Sequence, residues 1–382
     1  MRAVTLLAVG LVGCGFSTRI PIGEDPFEAG MPPEAAAACT AWSFTPKDFD
    51  PCAIAPPEAQ PTLFTGAYII DSDTGVMNGP GVSMKQLAYR DVNGVGVVSF
   101  ANLIVQANTS IRGEGTKPLA IVSWGSIQLD GALDVSSNLN NPAGAGANPA
   151  SCATSLGGNG LAINGGDGGG GGGGYGGLGG RGGNGNNVTN SGGTAGIVRG
   201  LPAVIEGGCR GGNAPIGDGG TPGKAGNGGG GIAVVAKDTL AISGIVHAGG
   251  SGGSGGAMSQ TGGGGGGSGG MIRLEAAMLI LESSAILAAN GGQGGGGCDG
   301  ATAGVGASGL AAAAEAAQGN SQGAGTDGGG GGFRDRVTGN AASQSSEGGG
   351  GGGGGVGYIV YKGHPSMTGI GGATTSPQAQ PF

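Results

Sequence analysis

Short apolar stretches, separated by polar turns or by glycine, follow one another along the chain from residue 63 onwards. Residues 63–70 are rich in apolar and aromatic side chains and predict a strand, and the polar residues 71–75 predict a turn after it. This alternation of short strands and turns indicates an all-β fold.

The later apolar stretches form four units with a related layout. In three of them a strand is followed, after a short gap, by a second strand, a small residue or glycine, and a third strand. Ile127, Leu129 and Leu133 alternate with other residues, which places one side of the chain inward. The units cover residues 103–113, 119–135, 232–248 and 271–290, and residues 358–361 close the series.

Repeated short strands predict a right-handed parallel β-helix or a similar solenoid. Each coil of such a fold buries an apolar stripe and hydrogen-bonds to the next coil. A β-sandwich with disordered glycine-rich loops is the alternative, since short strands joined by turns also fit that fold.

Glycine supplies 100 of the 382 residues and gathers in blocks at roughly 143–231, 249–270, 291–332 and 348–357. Parts of these blocks have a period of three, which fits a polyglycine-II helix of three residues per turn. Such a helix would carry its other side chains on one exposed edge. The residues spaced in this way are Tyr175, Leu178, Arg181 and Asn184, and then Ser251, Ser254 and Ala257.

The pure glycine runs at 168–174 and 348–355 are equally typical of flexible linkers, because glycine loses much conformational entropy when it is ordered. The period of three and the coils at both ends of each block favour order. The sequence leaves the two hypotheses open.

The first residues indicate export. Arg2 precedes an apolar run that ends in a small residue, and the run is too short to span a bilayer. Leu11, Val12, Gly13 and Cys14 resemble the bacterial lipobox, which implies cleavage before Cys14 and lipid on that cysteine. Gly15 follows the cysteine in place of the aspartate that retains lipoproteins at the inner membrane, and this favours the outer membrane or the cell surface.

Five cysteines remain after Cys14, in an oxidising compartment that allows disulfides. Cys39 and Cys52 are close neighbours and are expected to close a small loop. Cys152 and Cys209 bracket the first glycine block and are the favoured second pair. Cys298 is then free, or it replaces a member of that pair.

The predicted organisation follows from these features. It comprises a signal peptide at 1–13, a Pro- and Ala-rich tether at 14–60, the start of the solenoid at 61–142, glycine blocks interleaved with coils at 143–370, and a disordered tail at 371–382.

Composition and net charge limit the classes of partner that we expect this chain to bind. Only 10% of the residues are charged, the net charge is −8 and the sequence has no basic patch, which argues against nucleic acid or anionic lipid as a partner. The membrane, through the N-terminal lipid, and a surface glycan or protein are the expected partners.

Few residues of the sequence stand in patterns typical of catalysis or metal binding, and we predict no catalytic residue, metal site or cofactor. Residues 217–224 resemble a phosphate-binding loop, but Asp218 stands in place of its first glycine and Ala225 in place of its Ser or Thr. Residues 71–75 suggest a calcium loop but lack the later ligands, so a turn is expected. The two histidines, His247 and His364, have no partner that the sequence identifies.

The glycine blocks resemble the polyglycine bundles of phage tail-tip adhesins and of some antifreeze proteins, and the low complexity of PE-PGRS surface proteins. With its lipobox, Cys39–Cys52 loop and strand units, the whole chain resembles glycine-rich lipoproteins of Gram-negative bacteria. This resemblance implies a non-enzymatic structural or adhesive role at the surface. A carbohydrate-binding or carbohydrate-active β-helix is the alternative.

Overall fold

The computed structural model describes residues 42–54, 57, 62–139, 142–217, 219–314, 316, 318–363 and 372–382. Over these residues the protein is all-β, as predicted, with two 3-10 turns and no α-helix. None of the described residues forms a helix of the length and apolarity needed to cross a membrane. The signal peptide, the lipobox and Cys39 lie outside the described residues.

Eighteen strands make up the described fold. In chain order they are β1 (Thr62–Phe64), β2 (Ala67–Asp71), β3 (Val76–Gly79), β4 (Val82–Gln86), β5 (Ala88–Val92), β6 (Val95–Phe100), β7 (Leu103–Val105), β8 (Ser110–Glu114), β9 (Leu119–Ser123), β10 (Ile127–Leu129), β11 (Ala132–Asp134), β12 (Gly231–Ile242), β13 (Ile245–His247), β14 (Met271–Leu281), β15 (Ile286–Ala288), β16 (Tyr358–Gly363), β17 (Thr374–Ser376) and β18 (Gln380–Pro381).

The strands form two sheets in which successive units pair in parallel. The first sheet runs β1-β7-β10-β12-β14-β16-β18; in addition β9 pairs with β12, β6 with β9, and β5 with β6. The second runs β17-β15-β13-β11-β8-β2-β3-β4. Among the strands of the described residues, antiparallel pairing is confined to β2-β3-β4 and β5-β6. A β-sandwich of the immunoglobulin type has antiparallel sheets, so the parallel ladders argue against that alternative.

Equivalent apolar residues of successive units stack in register between the two sheets. Every one of these side chains is at most 2% exposed, so the alternation predicted for Ile127, Leu129 and Leu133 marks the main core. In the first sheet the stack is Leu103, Ile127, Leu240 and Leu279, and in the second it is Ile111, Leu133, Val246 and Leu287.

The glycine blocks are ordered by hydrogen bonds between segments. Gly170, Gly171 and Gly172 donate from their backbone N–H groups to three different segments, at the carbonyl oxygens of residues 263, 158 and 180, over 2.8–2.9 Å. Gly173 then returns to the first of these segments, at the carbonyl of residue 266. The hydrogen-bonding direction therefore repeats every three residues.

Four glycine runs form the interior of this bundle, at residues 168–174, 262–270, 291–298 and 348–357. Each donates to three neighbouring segments and accepts from three others, so its backbone is paired on all sides. The surrounding segments are 155–161, 177–185, 191–199, 207–214, 223–230, 248–257, 303–309, 319–322, 325–332 and 337–345.

The flexible-linker hypothesis is therefore wrong for the pure runs at 168–174 and 348–355. They are the most enclosed parts of the bundle, and all of their residues are buried. A Cβ atom on Gly171 or Gly351 would overlap the carbonyl oxygen of residue 194 or 264 in a neighbouring segment. Only glycine allows backbones to approach this closely, so the absence of side chains here reflects packing.

Segments at the outside of the bundle carry the other side chains. Leu178 and Arg181 are exposed and Asn184 is partly exposed, as the period of three predicts. Tyr175 and Ser251 are instead fully buried. Tyr175 directly follows the interior run at 168–174 and belongs to the second apolar cluster, and the Ser251 hydroxyl accepts from the backbone N–H of residue 227 at 2.6 Å.

Residues 42–54, here called the strap, cover the outer face of the first sheet. Trp42 stacks edge-to-face on Phe44 and on Trp124, with ring centroids 5.6 and 6.1 Å apart. Phe49 and Ile54 belong to a second apolar cluster with residues of β6, β9, β12 and β14. Part of the predicted tether at 14–60 is thus bound to the sheet.

The expectation of a disordered tail at 371–382 is wrong for residues 372–382. β17 pairs with β15 and β18 pairs with β16, so each continues one sheet by one more strand. The backbone groups of β15 and β16 provide the template, which the polar composition of the tail does not reveal.

Candidate functional sites on the sheets and on the bundle

The described cysteines include one resolved pair and one free thiol. Cys152 and Cys209, the favoured pair, form a disulfide with their Cα atoms 5.5 Å apart. Cys52 is also in a disulfide, and its predicted partner Cys39 lies outside the described residues. Cys298 is free and buried, with its Sγ 3.1 Å from the Thr261 hydroxyl.

Arg112, Asp134 and His247 form a polar column on the second sheet, because they occupy the same register position on β8, β11 and β13. Arg112 donates to Asp134 at 3.1 Å, and the His247 Nδ1 lies 3.5 Å from the other oxygen of Asp134. Burial alone would raise the pKa of Asp134, but hydrogen bonding and charge from His247, with help from Ser136, lower it to about 2. The carboxylate is therefore ionised at neutral pH and too weakly basic for proton abstraction.

The second imidazole nitrogen of His247 is also engaged. Nε2 lies 3.0 Å from the carbonyl oxygen of Gly309. A carbonyl oxygen only accepts, so a hydrogen bond here requires a proton on Nε2. The sequence identified no partner for His247, and the structure shows that it joins the second sheet to the outer segment 303–309.

A buried charged cluster lies between the strap and the first sheet. Arg273 on β14 pairs with Asp48 of the strap, and both side chains are 1% exposed. The Asp48 carboxylate also accepts from the backbone N–H of Ile205 at 2.9 Å. The Arg273 guanidinium stacks on the Phe382 ring, 5.2 Å from its centroid. This cluster brings together four distant parts of the chain.

Glu275, two residues along β14, completes this cluster. Both of its carboxylate oxygens lie 3.1 Å from the backbone N–H of Lys47 in the strap. Burial raises the pKa of Glu275 to about 7, although the Lys47 N–H and the Arg273 charge act in the opposite direction. Glu275 is therefore the described carboxyl group poised to titrate near neutrality.

Residues 71–75 form the turn that the sequence predicts. The Asp73 carboxylate accepts from the Thr116 hydroxyl at 2.7 Å and from the backbone N–H groups of Thr116 and Lys117. These bonds and the Lys117 charge lower the pKa of Asp73 against the effect of its burial. Its oxygens thus tie two turns together, and the described residues contain no group of three potential metal ligands.

Two adjoining clefts lie beside β16, β17 and β18, with volumes of about 400 and 500 Å³. Arg334, Asp335 and Gln378 line both of them. The Arg334 backbone N–H is held by the Ser376 hydroxyl at 2.8 Å, which fixes this residue at the mouth. No pattern in the sequence indicates this site, because it joins a glycine block to the expected tail.

The outer side chains of the bundle stand in rows across neighbouring segments. The backbone N–H of residue 339 donates to Leu178 O, and that of residue 179 donates to residue 196, so Val337, Leu178 and Ile197 lie side by side. One helical turn further, equivalent bonds from residues 342 and 182 bring Asn340, Arg181 and Thr194 together. We call these exposed rows the rim.

No family model, curated protein or solved structure matches this chain. The geometry described above is therefore the basis for assigning a function.

Proposed function

We propose that this protein is an envelope-anchored lipoprotein with a non-enzymatic structural or adhesive role. In this proposal its fold is a right-handed parallel β-helix whose coils extend into a bundle of polyglycine-II helices. The observation that carries the proposal is the period-three hydrogen bonding of the four interior glycine runs.

Order in the glycine blocks supports a role in presentation. A helix with three residues per turn rises about 3.1 Å per residue, so successive rows of the rim are about 9 Å apart. Because the backbone behind them is paired on all sides, the side chains are held at fixed spacing. A rigid, repetitive surface favours binding without large ordering costs.

The anchor is the second part of the proposal. Cys14, within the lipobox residues Leu11, Val12 and Gly13, would carry the lipid and hold the protein at the outer membrane or cell surface. The strap supports this arrangement, because a docked segment between anchor and sheet would fix where the tether leaves the folded body.

Fractionation and proteolysis of cells test the anchor and the surface location. In cells, Cys14→Ser should move the protein from the membrane fraction to the soluble fraction, while Cys298→Ser should leave it in the membrane fraction. Proteinase treatment of intact cells should remove the wild-type protein. Retention of Cys14→Ser in membranes would refute the anchor, and resistance to proteinase in intact but not lysed cells would refute surface display.

A carbohydrate-binding role is the second candidate, favoured by the clefts beside β16, β17 and β18. Arg334, Asp335 and Gln378 provide planar hydrogen-bonding groups beside Tyr358, which suits recognition of hydroxyl groups. A glycan array on the purified protein should give signals that Gln378→Ala weakens at least fivefold and that Gln344→Ala, at the exposed end of the bundle, leaves unchanged. An array without signals would exclude this candidate.

A further inference from the structure

Five of the exposed apolar side chains lie on adjoining segments of the bundle. Leu156, Leu178 and Ile197 are 39%, 43% and 50% exposed. Val198 and Leu201 follow in the loop after residue 197 and are similarly exposed. Soluble proteins scatter such residues over their surfaces, so a gathered set indicates an interaction face.

Backbone hydrogen bonds place these side chains on adjoining segments. The N–H of residue 179 donates to residue 196 at 2.9 Å, so Leu178 and Ile197 are neighbours. The N–H of residue 158 donates to the carbonyl oxygen of Thr194 at 2.8 Å. Segments 155–161 and 191–199 are antiparallel to each other, so Leu156 lies beside the helical turn that contains Ile197. We call Leu156, Leu178, Ile197, Val198 and Leu201 the apolar face.

Charge around this face differs from that of the whole chain. Residues 143–231 contain four cationic side chains, at 181, 199, 210 and 224, and three carboxylates, at 167, 206 and 218, a net of +1, against −8 for the chain. Arg181 and Arg210 are exposed, whereas Glu206 is neutralised by its ion pair with Arg199. The segment that carries this face is therefore not acidic, and two of its arginines are exposed.

The apolar face lies on the side of the molecule that carries the strap. The loop bearing Val198 and Leu201 is fixed to the strap by the bond from Ile205 to Asp48. Trp42, at the start of the strap, is 28 residues beyond Cys14 in sequence (42 − 14). A lipid on Cys14 would thus keep this face within reach of the membrane.

We propose that the apolar face rests on an anionic lipid surface, with Leu178 and Ile197 entering the headgroup region and Arg181 and Arg210 contacting lipid phosphates. Apolar burial and attraction to anionic headgroups act together at such surfaces. This inference rests on the proposed envelope location. Tethering raises the local concentration of the membrane, so a modest intrinsic affinity is sufficient.

The test uses the full chain with Cys14→Ser, which removes the lipid and leaves the face intact. We expect this protein to float with vesicles of 70% phosphatidylcholine and 30% phosphatidylglycerol. Adding Leu178→Asp and Ile197→Asp should lower the partition coefficient at least tenfold. The matched control is Val305→Asp, at a side chain 57% exposed on segment 303–309, and it should bind as before.

Arg181→Gln with Arg210→Gln should weaken binding to the anionic vesicles several-fold and leave any binding to pure phosphatidylcholine unchanged. Circular dichroism confirms that each variant is folded. Equal flotation of the double aspartate variant, or no flotation of the parent, would overturn the proposal. Sedimentation velocity that shows a dimer abolished by the aspartates, without vesicle binding, would assign the face to a second copy instead. Neither result would alter the Cys14 fractionation test, so the two proposals fail separately.

Discussion

Single residues show how strongly position within the bundle limits the side chain. A Cβ on Gly351 would overlap the carbonyl oxygen of residue 264, whereas a Cβ on Gly200 would have no heavy atom within 4 Å. The requirement for glycine thus comes from the neighbouring backbone.

Gly351→Ala should destabilise the protein by about 3 kcal/mol, because the interior cannot accommodate an added methyl group without moving a paired segment. Gly200→Ala is the matched control and should be neutral or stabilise by less than about 1 kcal/mol. Denaturant unfolding measures both. Equal stability of the two variants would contradict the close packing of the run at 348–357.

Glu275 predicts a pH dependence at the residue scale. Its folded-state pKa of about 7 lies above the ordinary value of 4.5, so the protonated form stabilises the fold. This contribution is complete below pH 4.5 and is lost as the pH rises through 7, at a cost of up to about 3 kcal/mol.

Glu275→Gln tests this dependence, since glutamine keeps an acceptor for the Lys47 N–H and has no charge. The variant should lose less stability than the wild type between pH 5 and pH 9 in denaturant titrations. Identical slopes for the two proteins over this range would exclude Glu275 as the titrating group.

The attachment of the strap to the first sheet can be measured directly. The Asp48 carboxylate of the strap pairs with the buried Arg273. Removing either partner of such a pair leaves an uncompensated buried charge. The two tryptophans of the chain, Trp42 and Trp124, lie on either side of the contact between strap and sheet and report on it.

Asp48→Ala should destabilise the strap by about 3–5 kcal/mol and shift the tryptophan emission to longer wavelength as Trp42 becomes hydrated. In Lys47→Ala the emission should stay at its wild-type wavelength, because Lys47 binds Glu275 through its backbone N–H. An unshifted spectrum in Asp48→Ala would show that the apolar contacts alone hold the strap.

Strands could be predicted from the sequence where side chains carry the signal. Residues 232–248 were identified as a unit because large apolar residues alternate there, and they contain most of β12 and all of β13. The strap contact could not be predicted, because Asp48 and Arg273 are 225 residues apart and neither has a local pattern. The His247–Asp134 contact could not be predicted for the same reason, since the register between β11 and β13 does not follow from either strand alone.

Only the exposed segments of the glycine bundle can be predicted from the sequence. Leu178, Arg181 and Asn184 reveal the period of three because these segments are exposed on one side. In the enclosed runs at 168–174 and 348–357 almost every position must be glycine, so the period disappears from the sequence where the packing is closest. Residues 348–355 therefore have the composition of a linker although they lie at the centre of the molecule.

Hydrogen exchange of the whole molecule distinguishes a cooperative bundle from loosely held loops. Amides at 168–174, 262–270, 291–298 and 348–357 should exchange as slowly as those of β12, because they pair with other segments and open only with them. Exposed residues 189 and 190, whose N–H groups make no backbone hydrogen bond, should exchange within seconds. Rapid exchange throughout the four runs, with protection limited to the strands, would contradict the cooperative bundle.

The rim also has a consequence for growth. A glycine helix with three residues per turn directs backbone groups to several sides, so an outer segment could pair with another such helix in a further layer, as an open sheet edge adds strands. Leu178, Arg181 and Asn340 project where such a layer would have to lie and keep it at a distance. These side chains therefore prevent further layers from adding to the regularly packed interior. A chain with glycine at these positions would be expected to assemble into fibres.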